Sequence, residues 1–161
     1  MKKTKPGQDT STELAGHLIK GGHTMLVRVY YEDTDFSGIV YHANYLRFME
    51  RGRTNYLRPL GADHRALFEP TEIEAPSFAF VVRSMKIDFL RPAYMDDLLE
   101  IRSLSKEVSG ASISIHQKVL RGEEVLVEAE VRVAFVSEGK PRRIPESLRK
   151  AMGADAEHYP H

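Results

Sequence analysis

The chain has 161 residues, no cysteine, and equal numbers of basic and acidic side chains, 23 of each. The length suits one domain on one core, and the absent thiols exclude disulfides, thiolate zinc sites and a cysteine nucleophile. Charge neutrality argues against a general nucleic-acid or anionic-membrane binder, and no apolar run approaches the roughly 18 residues of a membrane span or forms a signal-peptide core, so a cytoplasmic location is expected.

Residues 1–24 are polar and glycine-containing, and read as a mobile N-terminal extension in which Leu14, Leu18 and Ile19 form at most one helical turn. Met25 to Tyr31 is β-branched and aromatic, the composition of a strand. Glu32 to Gly38 has loop chemistry. From about Ala43 to Leu57 the apolar period changes to three and four, with Tyr45, Phe48, Met49, Gly52 and Tyr56 on one helical face, and Pro59 and Gly61 end the helix. Asp63 to Phe68 reads as one more short helical piece.

Strands follow at Phe78 to Leu90, at Leu99 to about Glu107, from Ala111 to Val119 and from Val125 to Phe135, most of them alternating apolar and polar residues. The short turns at Ser109-Gly110 and Gly122 make neighbouring strands antiparallel, because a parallel crossover needs a dozen or more residues. A short helix is expected from about Glu146 to Met152, with a loose tail after it. The fold class is therefore α+β, one long helix layered on an antiparallel sheet of about five strands. The domain spans residues 25–148, and residues 149–161 are the end of the last helix and the tail.

The chemistry concentrates in YYEDTDFSGIVYHANY, Tyr30 to Tyr45. A helix start offers unpaired backbone N–H groups and a positive dipole end, which stabilise a developing oxyanion. Asp33 and Asp35 lie on the loop leading into it, Gly38 permits a tight turn, and His42 and Asn44 sit at the first helical turn. A carboxylate beside an oxyanion hole is the minimum equipment for acyl transfer to water, as general base or as nucleophile. Loops of this composition are also ordinary turns and helix caps, so the pattern alone leaves both readings open. No GxSxG elbow occurs, and the histidines have no metal-ligand spacing.

The run YYEDTDFSGIVYHANYLRFMERGRTNYLR closely resembles the signature of the 4-hydroxybenzoyl-CoA thioesterase family, and within it the YbgC-type branch of acyl-CoA thioesterases encoded with the Tol–Pal envelope system. KIDFLRPAYMDDLLEI and GKPRRIP extend the resemblance over about residues 25–148. It implies a hotdog fold, sheets paired edge to edge in a dimer with active sites at the interface, and dimers that often pair into tetramers. It implies Asp35 as the catalytic carboxylate and the His42 backbone N–H as the donor that polarises the thioester carbonyl, the His42 ring orienting substrate or water. Tyr41, Asn44 and Tyr45 then shape the site and Gly38 turns the chain. Asp33 is read as a turn-forming acid and Glu50 as a solvated or ion-paired helix residue.

Coenzyme A carries phosphates, so a basic patch is expected, with Arg91, Lys140, Arg142 and Arg143 the candidates. Phe36, Phe48, Phe78 and Phe80 are candidate liners of the acyl pocket. The implied partners are an acyl-CoA substrate and a second copy of the chain, with acyl carrier protein as a further possibility, and no metal or cofactor is implied. A non-catalytic acyl-CoA or acyl-carrier-protein binding module is the alternative.

Overall fold

Apolar residues at every second position give the sheet one dry face. The computed structural model describes residues 14–60 and 78–161. Its strands are β1 (His17–Ile19), β2 (Gly22–Arg28), β3 (Phe78–Phe89), β4 (Leu98–Val108), β5 (Ser112–Arg121), β6 (Glu124–Ser137) and β7 (Lys140–Pro141). They form a seven-stranded sheet in the order β1-β2-β4-β5-β6-β3, with β7 on the end of β6, and every pairing is antiparallel. Leu99, Ile101, Ile113, Ile115, Val119, Val127, Ala129, Val131, Val133 and Phe135 are buried on the inner face. Each such Leu, Ile or Phe stabilises the fold by about 1.5–3 kcal/mol relative to exposure.

The long helix α1 (His42–Leu57) lies on that face with Tyr45, Phe48, Met49, Gly52, Arg53, Tyr56 and Leu57 buried. Gly52 sets how closely it approaches. A Cβ there would stand 2.8 Å from Ile101 Cγ2 and 3.2 Å from Gln117 Nε2 and Ser103 Oγ. The inward Gln117 is fully used: its amide donates to Met49 O (2.9 Å) and Ser103 Oγ (2.8 Å), and its carbonyl accepts from Arg53 Nη1 (2.9 Å). Buried polar groups of this kind hold only when paired.

The layer architecture is the one expected, and three local readings are corrected. Ile19 and Leu18 form a strand, not a helical turn, because Lys20-Gly21 (Gly21 at φ +83°) reverses the chain and pairs His17 with Thr24. The polar segment up to residue 24 is therefore structured from β1 onward. The first long strand stops at Arg28 rather than Tyr31: the Tyr30 N–H donates to Asp33 Oδ2 (2.8 Å) and winds Tyr31–Asp33 into a 3-10 turn. The tail is not loose. Helix α2 (Glu146–Ala156) buries Leu148 and Met152, the Tyr56 hydroxyl donates to Asp155 Oδ2 (2.5 Å), and Tyr159 packs edge-on against His116. The short helical piece anticipated at Asp63 to Phe68 lies outside the described residues.

Candidate active site

The loop between the 3-10 turn and α1 is held shut by its own backbone. Asp35 N–H donates to Ile39 O (2.8 Å), Gly38 N–H donates back to Asp35 O (3.0 Å), and Thr34 bridges Val40. Gly38 takes φ +79°, the left-handed conformation that such a reversal needs. Asp35 is exposed at the start of this turn; its Oδ1 accepts the Ser37 N–H (2.8 Å) and Oδ2 has no partner among the described residues. A carboxylate oxygen is thus presented to solvent on a rigid loop.

Asp33 holds the same loop to the helix. Its carbonyl accepts from the Tyr41 N–H (2.9 Å) and from Asn44 Nδ2 (2.8 Å). Tyr41 supplies no side-chain cap, so the first N–H groups of α1, at His42 and Ala43, have no acceptor among the described residues. The loop after β3 forms the third wall. Ala93 O accepts the Val40 N–H (2.9 Å), Ala93 N–H donates to the Tyr45 hydroxyl (3.0 Å), and Ile39 bridges Tyr94. Burial pushes the Tyr45 phenol up from its ordinary pKa, so it stays protonated. The His42 ring is exposed and lies 4.5 Å from the Tyr41 ring and 6.0 Å from Phe89, centroid to centroid.

The structure therefore brings together Asp35, Gly38, Tyr41, His42, Asn44 and Tyr45. Within the group, Asn44 and Tyr45 spend their hydrogen bonds on Asp33 and Ala93, so they build the frame. Phe36 stands fully exposed on the loop, whereas Phe48 is buried under α1. Phe80 packs on Phe135, 5.0 Å between centroids, at the far end of β3, and the Phe78 side chain lies outside the described residues. Phe89 was not singled out by sequence, yet it touches both His42 and Tyr45. Its signal was its inward phase at the end of β3.

The basic residues divide. Arg91 lies at the Asp35 end, ion-paired to Glu124 at 3.3 Å. Lys140 pairs with Ser137, and the Arg142 N–H donates to Phe135 O. Phe89 pairs with Val127, so Lys140 sits ten residues further along β6, about 33 Å away. Within one protomer the register thus sets Lys140 and Arg142 far along the sheet from Phe89, the residue beside His42. A cleft of about 600 Å³ on the β2 flank of α1, lined by Met25, Arg28, Tyr30, Glu50, Arg51 and Arg58 among others, is also separate from the Asp35 oxygen. Glu50 there accepts from Thr54 Oγ1 (2.7 Å) and is exposed. Among the described residues no three His, Asp or Glu side chains converge as metal ligands, and no helix is long and apolar enough to cross a membrane.

This frame has known relatives. The family model of the thioesterase-like superfamily matches residues 29–152. The chain is 42% identical over 137 residues to the acyl-CoA thioesterase YbgC of Haemophilus influenzae, covering 84% of this chain and 97% of that one. It is 32% identical over 142 residues to the YbgC protein of Helicobacter pylori, covering 81% and 99%. The crystal structure of a probable thioesterase from Bartonella henselae superposes with a TM-score of 0.68 at 46% identity, covering 77% of this chain and 98% of that one. The chain belongs to the thioesterase-like superfamily of hotdog proteins, on its YbgC acyl-CoA thioesterase branch.

Proposed function

We propose that this chain hydrolyses acyl-CoA thioesters to a free acid and coenzyme A, with Asp35 as the catalytic carboxylate and the His42 N–H polarising the carbonyl. One observation carries the assignment: the unpartnered Asp35 oxygen and the acceptor-free start of α1 are locked into one frame through Asp33 and Ala93. The relatives' activity supports the same reading. The thioester oxygen accepts from the helix-start N–H, where developing charge is stabilised. Asp35 either takes a proton from water as it attacks or adds to the carbonyl itself, its acyl-enzyme then being hydrolysed. In both routes the C–S bond breaks, water's oxygen ends in the acid, and the thiolate leaves with a proton.

A dimer through the β3 edge completes the site. Val81, Val82, Phe89 and Leu90 are half-exposed along that edge, whose outer side has no strand partner among the described residues. Antiparallel pairing of two β3 strands about a two-fold near the Val82/Ser84 bulge sets Phe89 beside the partner's Phe78. The partner's β7 is then three strand spacings away, about 14 Å. Lys140, Arg142 and Arg143 of the partner subunit would then receive the coenzyme A phosphates of this protomer's substrate. We place the reaction in the cytoplasm, in association with the Tol–Pal system, the genetic context its branch implies. Asp35→Asn tests the chemistry. It retains the fold by circular dichroism and loses at least about 100-fold in kcat for acyl-CoA hydrolysis; near-normal turnover would remove Asp35 from the mechanism.

A further inference from the structure

Arg53 is buried in the middle of α1 with 8% of its surface exposed. Its guanidinium donates from Nη1 to the neutral Gln117 amide oxygen (2.9 Å), and no carboxylate among the described residues pairs with it. Glu50, one turn back, acts on it only through space and directs its own oxygen to Thr54. Taking a guanidinium from water without a counter-ion is unfavourable. A neutral amide that uses one of five donors compensates little. The remaining guanidinium nitrogens have no hydrogen-bond partner among the described residues.

The position along α1 gives the charge a context. Arg53 follows His42 by eleven residues, about three turns, so the two share one flank of the helix about 16 Å apart. That flank is the one whose first residue, His42, meets Phe89 on β3. The other flank, carrying Arg51, Asn55 and Arg58, faces β2. Between His42 and Arg53 on the shared flank come Leu46 and the fully buried Met49. A polar start, an apolar middle and a cation at the far end match a chain with a thioester at one end and an anion at the other.

We propose that Arg53 is a specificity-determining residue, reading a carboxylate at the distal end of the acyl group, and that ω-carboxyacyl-CoA thioesters are the favoured substrate class. The inference rests on the thioesterase reading above. A guanidinium and a carboxylate pair through two parallel hydrogen bonds. Because long helical side chains lean toward the helix N-terminus, the span from carbonyl to guanidinium fits an acyl chain of about eight to twelve carbons.

The test is a panel of straight-chain acyl-CoA and ω-carboxyacyl-CoA substrates of matched length, read as kcat/KM for the wild type, Arg53→Lys and Arg53→Met. The wild type should prefer the ω-carboxy substrate by at least about tenfold near the optimal length. Arg53→Met should lose that preference while holding the unmodified chains within about threefold, and Arg53→Lys should fall between. Retained turnover of the unmodified chains shows that the variant folds. A wild type that favours unmodified chains throughout, or an Arg53→Met loss equal for every substrate, overturns the proposal. A weakened dimer in Arg53→Met with uniform loss points to an ion pair between subunits instead. Should no thioester turn over, the hydrolase reading has failed separately; calorimetric binding of a non-hydrolysable ω-carboxyalkyl thioether of coenzyme A to the wild type and to Arg53→Met still decides the role of Arg53.

Discussion

Replacing Tyr45 by Phe tests whether the catalytic loop depends on the frame beneath it. Tyr45 is 4% exposed and Ala93 is completely buried. The hydroxyl of Tyr45 is the sole acceptor for the Ala93 N–H among the described residues, at 3.0 Å. Phenylalanine fills nearly the same volume, so cavity terms are small and the loss is that of one buried acceptor. An orphaned buried donor costs about 1–3 kcal/mol, which in a domain of this size lowers Tm by about 2–12 °C. Ala93 also accepts from Val40, and Ile39 bridges Tyr94, so the same peptide that loses its partner anchors the far side of the Asp35 turn. Turnover should therefore fall with stability, at temperatures where the variant is fully folded, and kcat should fall more than KM rises. Differential scanning calorimetry and a free-thiol release assay at 20–25 °C below the variant's Tm read the two effects. An unchanged Tm would show that Ala93 does not depend on Tyr45. A lowered Tm with normal kcat would show that the Asp35 loop is not coupled to α1 through Ala93.

Gly52→Ala sets two effects against each other. Alanine favours a helix by about 1 kcal/mol over glycine, but its Cβ would stand 2.8 Å from Ile101 Cγ2, and overpacking costs about 1–3 kcal/mol; the denaturation midpoint should fall, and a rise would refute the close-approach argument. Acid sensitivity should trace in part to His23, which is 1% exposed and whose pKa burial holds below its ordinary 6.5. The unfolded chain then takes up a proton that the folded one resists, so the stability contributed by neutral His23 is complete above about pH 6.5 and declines as pH falls from there toward the lowered folded value. Urea midpoints measured from about pH 8 to pH 5 should fall less steeply in His23→Gln than in the wild type, and parallel curves would refute the assignment.

Periodicity was sufficient for the long elements because burial follows period there. The inward positions of β4, β5 and β6 and the buried face of α1 are those the alternation and the three-four spacing point to. What escaped were elements whose stability is borrowed. β1 has three residues and β7 two, and neither could persist without β2 or β6 beside it. Val29, Tyr30 and Tyr31 have strong strand propensity, yet one hydrogen bond donated by the Tyr30 N–H to the Asp33 carboxylate turns the chain out of the sheet. The tail reads as polar and loose, but Tyr56, Ser105 and Asp155 form a chain of short hydrogen bonds that no local pattern encodes. The same limit applies at the site. Asp35, Gly38 and His42 are adjacent in sequence and legible together. Phe89 and Ala93 join them only through the fold, and the distance between Arg91 and Lys140 is a property of strand register, invisible until β6 is laid out.

That distance makes a prediction in which the arrangement of the subunits decides the outcome. If Lys140, Arg142 and Arg143 serve the partner's Asp35, two crippled chains should repair one another. One chain carries Asp35→Asn; the other carries Lys140→Ala, Arg142→Ala and Arg143→Ala, all exposed residues whose loss leaves the core intact. Each homodimer is defective, the first in chemistry and the second in binding coenzyme A at low substrate. In a mixed dimer with shared sites, one site joins an intact Asp35 to intact basic residues and the other is doubly defective. Random mixing makes about half of the dimers mixed, so activity at low substrate should recover to about a quarter of wild type. With all groups supplied in cis, every site in the mixture retains one defect and activity stays at the average of the two parents. Recovery that also vanishes when Val82→Lys places a charge on the β3 edge would tie the repair to that edge, because a lysine on an open strand opposes strand pairing. Recovery untouched by Val82→Lys would mean that the subunits meet elsewhere and that the two-fold proposed at the Val82/Ser84 bulge is misplaced.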